Sequence, residues 1–277
     1  MLNKIKLLLL ALGLVMFVGC GDTKDSTESS AKVESSSNQV TTLKVGATPN
    51  PHAIILENLK DDLKNEGIDL QIVEFSDYIL PNMALNDGSI DANFYQHQPY
   101  LDKMVEDKKL KIKSIAKAHI EPLGFYSKKI KDIKDLKDGS TIALPNDPSN
   151  GGRALILLHN NGLIKLKDSN NLYATEIDII ENKKNLKLKS LDAAMLPKII
   201  DDVDAAVING NFALQAGFSV KEAIFLEDER SPYANVLVVR ENEVDNANLL
   251  KLKEALNSQK TKQFLEDKFK GEIIPAF

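Results

Sequence analysis

The chain has 277 residues, of which 27% are charged and 43% are hydrophobic, and its net charge at pH 7 is −5. This length and composition suit a globular body with one large domain or two smaller ones. The mildly acidic balance argues against a nucleic-acid partner, because nucleic acids bind clustered basic surfaces.

The first twenty residues are typical of a bacterial targeting segment. Two lysines precede an apolar run over residues 7–18, which is too short to span a bilayer as a helix but suits the core of a signal peptide. The run ends in FVGC, where Cys20 is the only cysteine of the chain, so an internal disulfide framework is excluded. The sequence therefore predicts a lipoprotein signal peptide over residues 1–19.

Residues 20–42 predict a lipid anchor and a tether. The segment before Cys20 resembles a lipobox, in which the cysteine receives acyl chains such as palmitate; Phe17 departs from the usual leucine. Residues 21–42 contain ten Ser or Thr in 22 positions and almost no apolar residues, which indicates a flexible coil. The anchor would hold the body at a membrane surface.

From residue 43 onward, short apolar runs alternate with helical patterns. Strands are predicted at residues 43–47, 70–75, 90–94 and 112–116, with helices between them. Asn50 and Pro51 resemble a helix cap followed by a proline at the first helical position, and Gly67 resembles a helix-ending glycine. This βαβα order predicts a mostly parallel sheet with helices on both faces.

The same order begins again after Pro122. Strands are predicted at residues 141–147, 204–209 and 223–228, a β-branched run at 233–240, and a final helical stretch at 246–269 that is split near Ser258. Two α/β units with crossings near residues 117–125 and 233–240 predict two lobes. Lobe 1 would comprise residues 43–122 and 237–277, and lobe 2 residues 123–236.

Ligands of such sheets bind beyond the carboxyl ends of the strands. Four polar or aromatic segments follow predicted strands there: FSDY, NFYQH, LPNDPSNGGR and VING. Their positions predict a single cleft.

Arg153 is the first candidate for binding an anion. It lies near the start of a predicted helix, where a cation is unfavourable unless an anion binds, and an arginine can grip a carboxylate with two hydrogen bonds. The preceding glycines, Gly151 and Gly152, would let the backbone approach a ligand closely. An exposed arginine paired with a surface aspartate remains the alternative.

Asn209 and Asn235 stand at the edges of apolar runs, and an asparagine amide can bind both an ammonium and a carboxylate group. A simple turn is the alternative for Asn209, which precedes Gly210.

The ring residues are concentrated in two short segments. Phe94 is expected in the core, whereas Tyr and His carry polar tips that need partners. A partly apolar box is therefore predicted, suited to an aliphatic or thioether side chain; its members are Tyr78, Tyr95, His97 and Tyr100. The other histidines have no comparable cluster of ring residues near them in the sequence and are assigned no role; they are His52, His119 and His159.

Motifs for catalysis or cofactor binding are missing from the sequence: GxSxG, HExxH, CxxC, the P-loop and GxGxxG. No metal and no cofactor are predicted. A binding protein is therefore the leading interpretation, with a secreted hydrolase built on His97 and a surface adhesin as alternatives of other classes.

Several longer motifs occur in a fixed order: FSDYILPNMALNDGSIDANFYQHQPYL, LPNDPSNGGRALILL, IIENKKNLKL, AVIN and RSPYAN. Together they resemble the NlpA family of lipoproteins, which includes methionine-binding proteins of ABC importers. The likeness extends over residues 43–277 and the leader.

The resemblance implies an α/β, two-lobed periplasmic-binding-protein fold of type II, with two parallel-rich sheets that close on an amino acid. It implies a side-chain pocket made by Tyr78, Tyr95, His97 and Tyr100, with Tyr95 in place of the family's usual phenylalanine. It also implies that the amino-acid head group is held by Arg153, Asn209 and Asn235.

The function implied is capture of L-methionine by a lipoprotein of the cell envelope, which delivers it to an ABC permease and its ATPase. A methionine-containing dipeptide or another amino acid remains an alternative ligand.

Overall fold

The computed structural model describes residues 40–228 and 231–277. The predicted signal peptide, Cys20 and most of the tether lie outside these residues. The predicted end of the tether is too late, because the first strand already begins at Thr41. Among the described residues, no helix combines the length and the apolar character needed to cross a bilayer.

The strands and helices are numbered in chain order. The strands are β1 Thr41–Ala47, β2 Ile68–Glu74, β3 Ala92–His97, β4 Ile112–Ile120, β5 Gly124–Tyr126, β6 Thr141–Pro145, β7 Lys165–Leu166, β8 Ile179–Glu181, β9 Lys187–Leu191, β10 Ala205–Ile208, β11 Phe225–Leu226, β12 Asn235–Arg240 and β13 Ile274–Pro275. The α-helices are α1 Ile54–Glu57, α2 Lys60–Asn65, α3 Leu80–Asn86, α4 Gln98–Lys108, α5 Pro148–Asn160, α6 Gly210–Gln215, α7 Ala247–Leu256 and α8 Gln259–Phe269. Shorter helical turns lie at Pro49–Ala53, Ile133–Asp135, Glu176–Asp178, Ala193–Ile199, Val220–Glu222 and Glu241–Glu243.

Two sheets form the frameworks of two lobes. Their strand orders are β13-β4-β12-β3-β1-β2 and β11-β5-β10-β6-β9, and β7 and β8 form a separate pair. The predicted two-lobed α/β fold is confirmed.

The prediction of mostly parallel sheets is correct only for part of each sheet. β1 is parallel to β2 and β3, and β6 is parallel to β9 and β10. In contrast, β12 returns from the other lobe and pairs antiparallel with both β3 and β4. Successive strands of βα units are parallel because a right-handed crossover connects them. A strand that enters the sheet from another lobe has no such connection, so it can pair antiparallel.

Both main sheets are buried on both faces. In β12, Leu237 and Val239 belong to one hydrophobic core, whereas Val236 and Val238 belong to another. Because side chains alternate along a strand, these two cores lie on opposite faces of the large sheet. A strand covered on both sides reads as a continuous apolar run, which explains the β-branched segment in the sequence.

The chain passes between the sheets twice. The first passage separates Ile120, the end of β4, from Gly124, the start of β5. The second separates Leu226 from Asn235, so β12 lies wholly in the large sheet. The predicted crossing at residues 233–240 therefore overlaps a strand of the large sheet, and the predicted lobe boundary after residue 236 falls inside that strand.

Most of the predicted helix ends agree with the structure. Gly67 has a φ of +80° just beyond α2, and Ser258 caps α8 by accepting a hydrogen bond from the backbone of Thr261. The side-chain cap predicted at Asn50 is not formed: Asn50 has the extended conformation of an N-cap residue, with φ −134° and ψ 125°, but its Oδ1 has no hydrogen-bond partner among the described residues. A residue before proline is driven out of the helical region by the proline ring.

Candidate functional site

All seven predicted ligand-binding residues line one cavity between the lobes, with an empty volume of about 330 Å³. They are Tyr78, Tyr95, His97, Tyr100, Arg153, Asn209 and Asn235. Five further residues complete the lining: Gln96, Glu121, Asn150, Gly210 and Asn211.

Three tyrosines form one wall of the cavity. The hydroxyls of Tyr95 and Tyr100 both donate to the carbonyl of Tyr78, at 2.7 and 2.9 Å. The ring of Tyr78 lies 6.0 Å from that of Tyr95 and 5.8 Å from that of Tyr100. The hydroxyl that distinguishes Tyr95 from a phenylalanine is thus tied to backbone, and the three rings are held as a unit.

Tyr78 also joins the two lobes. It follows β2 of the large sheet, and its hydroxyl donates to Oδ1 of Asn211 in α6 at 2.5 Å. Another such bond runs from the hydroxyl of Tyr173 to the carbonyl of Pro99 at 3.1 Å. The lobes therefore meet directly across the cleft, and the cavity is enclosed between them.

His97 is held as a neutral donor at the junction of β3 and α4. Its Nδ1 accepts the backbone N–H of Tyr100 at 3.1 Å, which leaves the proton on Nε2 to reach Oδ1 of Asn150 at 3.0 Å. Burial, assisted by the charge of Arg153, lowers the pKa of His97 to about 3. The ring is therefore uncharged at neutral pH.

Asn150 organises the amides of the second lobe. Its N–H and amide donate to the carboxylate of Asp147, the cap of α5, so its Oδ1 is free to accept from His97 and from Asn209. Asn209 donates at 2.7 Å, and its own Oδ1 is buried without a partner among the described residues. The amide nitrogen of Asn211 is also unpartnered within this part of the chain. Buried unpaired polar atoms in a cavity are what a polar ligand would satisfy.

Arg153 is buried, with 4% of its surface exposed, and it already has an anionic partner. Its Nε lies 3.0 and 3.1 Å from the two carboxylate oxygens of Glu227, and its Nη2 contacts both Glu227 and the carbonyl of Glu121. The guanidinium also lies 4.4 Å from the ring centre of Tyr233. The Nε–Nη2 edge of the guanidinium is therefore already occupied and cannot form the predicted pair of hydrogen bonds to a ligand. Nη1 forms no hydrogen bond among the described residues.

The two glycines before Arg153 serve a purpose other than the one predicted. Neither lines the cavity. A Cβ on Gly152 would lie 2.4 Å from the carbonyl oxygen of Leu172, and one on Gly151 would lie 3.1 Å from that of Pro145. Close packing of α5 against neighbouring backbone, and not approach to a ligand, requires glycine at position 152.

A second histidine cluster lies beside the head of the cavity, and the sequence interpretation missed it. His52 and His119, which had been given no role, place their Nε2 atoms 3.1 and 2.7 Å from Oε1 of Glu121. The Nε2 of His52 also lies 3.1 Å from Oδ1 of Asn235. Phe94 packs edge-on against both imidazoles, which confirms its place in the core. His119 and Glu121 are two positions apart, whereas His52 and Asn235 come from distant segments, and the pairing of β12 with β4 places Asn235 beside His119.

Glu121 is ionised although it is buried. Desolvation raises the pKa of its carboxyl, but the imidazoles of His52 and His119 outweigh that effect and hold the pKa well below its usual range. Burial in turn lowers the pKa of His119. The three ligand atoms lie within 4.8 Å of one another, a spacing compatible with a metal ion. However, His119 donates its Nε2 proton to the carboxylate, so a metal would have to displace that hydrogen bond.

The remaining histidine lies outside the cavity lining: Nδ1 of His159 accepts the backbone N–H of Leu166 at 3.0 Å. Asn150 and Asn211 were also missed as site residues, although Asn150 lies in the segment LPNDPSNGGR that was assigned to the cleft and Asn211 directly follows VING. Glu121 gave one local signal, since it lies in the predicted lobe crossing near residues 117–125.

Comparison with known proteins gives a consistent result. The family model described as NlpA lipoprotein matches residues 43–277. The D-methionine-binding lipoprotein MetQ of Salmonella typhi is 42% identical over 271 residues, which cover 96% of this chain and 95% of the relative.

Solved structures show the same similarity. A nutrient-binding protein from Burkholderia cenocepacia bound to methionine is 45% identical, with a TM-score of 0.82, and the match covers 85% of this chain and 100% of that one. A periplasmic substrate-binding protein of an ABC transporter from Coxiella burnetii is 44% identical, with a TM-score of 0.81 and coverage of 84% and 100%.

Proposed function

This chain belongs to the NlpA lipoprotein family, and on that premise we propose that it is a lipid-anchored substrate-binding protein that captures L-methionine for an ABC importer. The observation that carries the proposal is the shape of the cavity between the lobes. Aromatic rings form one part of its wall, and charged and amide groups form another.

The ring wall suits the methionine side chain. A thioether is apolar and polarisable, and each sulfur–ring contact contributes about 0.3–1.5 kcal/mol. Burial raises the pKa of Tyr78 and of Tyr95, so both rings stay uncharged and add no competing anion. Their hydroxyls are already hydrogen-bonded, so the wall presents mainly ring surface to the ligand.

The polar wall suits the head group of an amino acid. We assign the carboxylate to Nη1 of Arg153 and to the unpartnered amide nitrogen of Asn211. We assign the ammonium group to Oδ1 of Asn209, which lacks a partner within the described residues, and to the neighbourhood of Asn235. Oδ1 of Asn209 and the amide nitrogen of Asn211 are buried and have no partner among the described residues, so binding there would satisfy unmet hydrogen-bonding capacity instead of breaking bonds to water.

The lobes already meet across the cleft in this structure, so the ligand would enter and leave when they open. A binding protein of this kind holds its ligand by hinge motion around the cleft, performs no covalent step and needs no cofactor. The lipid on Cys20 would keep it at the membrane of the cell envelope, where it would meet the permease and its ATPase.

The direct test is identification of the retained ligand. The mature lipoprotein would be purified in detergent, examined by native mass spectrometry and then denatured to release small molecules. We expect one species with the mass of methionine, and calorimetry should then give saturable binding of L-methionine. Release of a methionine dipeptide would change the ligand and keep the class. No ligand, and no binding of any amino acid, would refute the proposal.

A further inference from the structure

Glu121 is a buried carboxylate that faces the cavity, and the sequence interpretation gave it no part in binding. It lies at the first passage between the lobes and is 5% exposed. It lines the cavity together with Arg153, Asn209 and Asn235. A buried charge is costly unless it is paired and hydrogen-bonded. The groups that compensate the charge of this carboxylate therefore help to indicate which ligand the cavity binds.

The groups around Glu121 contact one of its carboxylate oxygens and leave the other without a hydrogen bond among the described residues. Nε2 of His52 and Nε2 of His119 both approach Oε1. Among the hydrogen bonds of the described residues, none reaches Oε2. Two imidazoles on one oxygen fix the plane of the carboxylate, which leaves the second oxygen as a positioned acceptor.

The guanidinium of Arg153 does not bind the second carboxylate oxygen of Glu121. Arg153 uses Nε and Nη2 on the carboxylate of Glu227, and its contact with Glu121 is to the backbone carbonyl, at 2.9 Å from Nη2. His97, the other basic group on the cavity wall, is neutral at physiological pH. The cavity thus has a guanidinium already paired with one carboxylate and a second carboxylate, that of Glu121, whose Oε1 alone receives the two imidazoles.

The spacing of the two charges indicates the kind of ligand. Arg153 and Glu121 both line the cavity, and Nη2 of Arg153 contacts the backbone carbonyl of Glu121, so the guanidinium and the carboxylate belong to the same part of the wall. A free α-amino acid carries its ammonium and carboxylate groups on a single carbon atom. In a dipeptide the two groups sit on successive residues, whose Cα atoms are about 3.8 Å apart.

We propose that Glu121 is the counter-ion of the ligand's α-ammonium group and that its closeness to Arg153 selects a free α-amino acid over a dipeptide. This inference rests on the proposed function and sharpens it. Oδ1 of Asn209 supplies a second acceptor for the same ammonium group, and His52 and His119 act as positioning residues that orient Glu121.

The experiment crosses a protein variant with ligand analogues. Calorimetry on the mature lipoprotein would compare L-methionine, 4-(methylthio)butanoic acid, which lacks the amino group, and glycyl-methionine. The wild type should bind methionine on the order of 100-fold more tightly than the analogue without the amine, the scale for a charge-assisted hydrogen bond in a buried site. Glu121→Gln should lose most of that ratio, because it weakens methionine and leaves the desamino analogue nearly unchanged.

The controls separate the possible failures. Glu106→Gln, an exposed change on α4 away from the cavity, should leave all affinities unchanged. Equal losses on both ligands in Glu121→Gln would show that Glu121 only supports the fold. If that variant does not fold, the wild type alone decides, because affinities for methionine and the desamino analogue within threefold would overturn the inference. Tighter binding of glycyl-methionine would overturn the selectivity and keep the binding function, whereas no binding of any of the three would refute the proposed function itself.

Discussion

Replacing Arg153 by alanine is the most informative single change to the proposed binding site. The guanidinium is buried, and its Nη1 is the donor that we assign to the ligand carboxylate. Loss of a charge-assisted partner for a buried carboxylate should weaken methionine binding by at least ~2 kcal/mol, or about 30-fold in Kd.

The same change should also destabilise the protein without ligand. Arg153→Ala leaves the carboxylate of Glu227, whose side chain is only 15% exposed, without its ion-pair partner. Removing one member of a buried pair costs about 3–5 kcal/mol, which is an upper estimate here because water can reach Glu227. The double variant Arg153→Ala/Glu227→Gln should recover part of this stability but none of the affinity.

The assay is therefore two measurements on each variant. Urea unfolding without ligand gives the change in stability, and calorimetry with L-methionine at a temperature where every variant is folded gives the change in affinity. If Arg153→Ala binds methionine with nearly wild-type affinity, the assignment of the carboxylate to Arg153 is wrong. If the double variant regains affinity together with stability, Arg153 only supports the fold.

Three further changes test the tyrosine wall and the buried histidine. Tyr78→Phe removes the bond across the lobes to Asn211 and should weaken methionine binding by about 1 kcal/mol in calorimetry; an unchanged affinity would show that this bond does not stabilise the closed state. Tyr95→Phe should alter methionine affinity by less than about 1 kcal/mol, because Tyr100 still donates to the same carbonyl; a new side-chain preference would contradict this. The pKa of His97 is about 3 in the folded protein and about 6.5 in an unfolded chain, so the unfolded state binds a proton that the folded state does not. Its contribution to stability is complete above pH 6.5 and is lost as the pH falls toward 3, and urea unfolding of wild type and His97→Gln between pH 7 and 5 should show a smaller loss in the variant. Equal losses would contradict the assignment.

Local patterns were enough to predict most of the secondary structure. The helix-ending Gly67 depends on the backbone freedom of glycine, and the predicted split near Ser258 corresponds to a serine whose side chain caps the next helix; neither effect needs tertiary contacts. At Asn50 the extended backbone before a proline is present as predicted, but the capping hydrogen bond of its side chain is not formed. The pairing direction of β12 could not be predicted, because it depends on how the chain returns from the second lobe.

The candidate site likewise contains residues that the sequence could identify and contacts that it could not. Tyr95, His97 and Tyr100 lie close together in sequence, so their convergence on one wall follows from a strand that runs directly into a helix. Arg153 was recognised by its position at a helix start, but its ion pair with Glu227 joins residues 74 positions apart. No local pattern reports such a partner.

The sequence by itself determined the α/β class, the two lobes and seven residues that the structure brings to one cavity, because strand periodicity, helix ends and ring clusters are properties of short segments. Only the tertiary structure decided which charges meet in that cavity. His52 lies far in sequence from His119 and Glu121, which are two positions apart, and its contact with Glu121 exists only in the folded protein. The electrostatics of the site depend on burial and on distances of a few ångströms, and folding is what creates both.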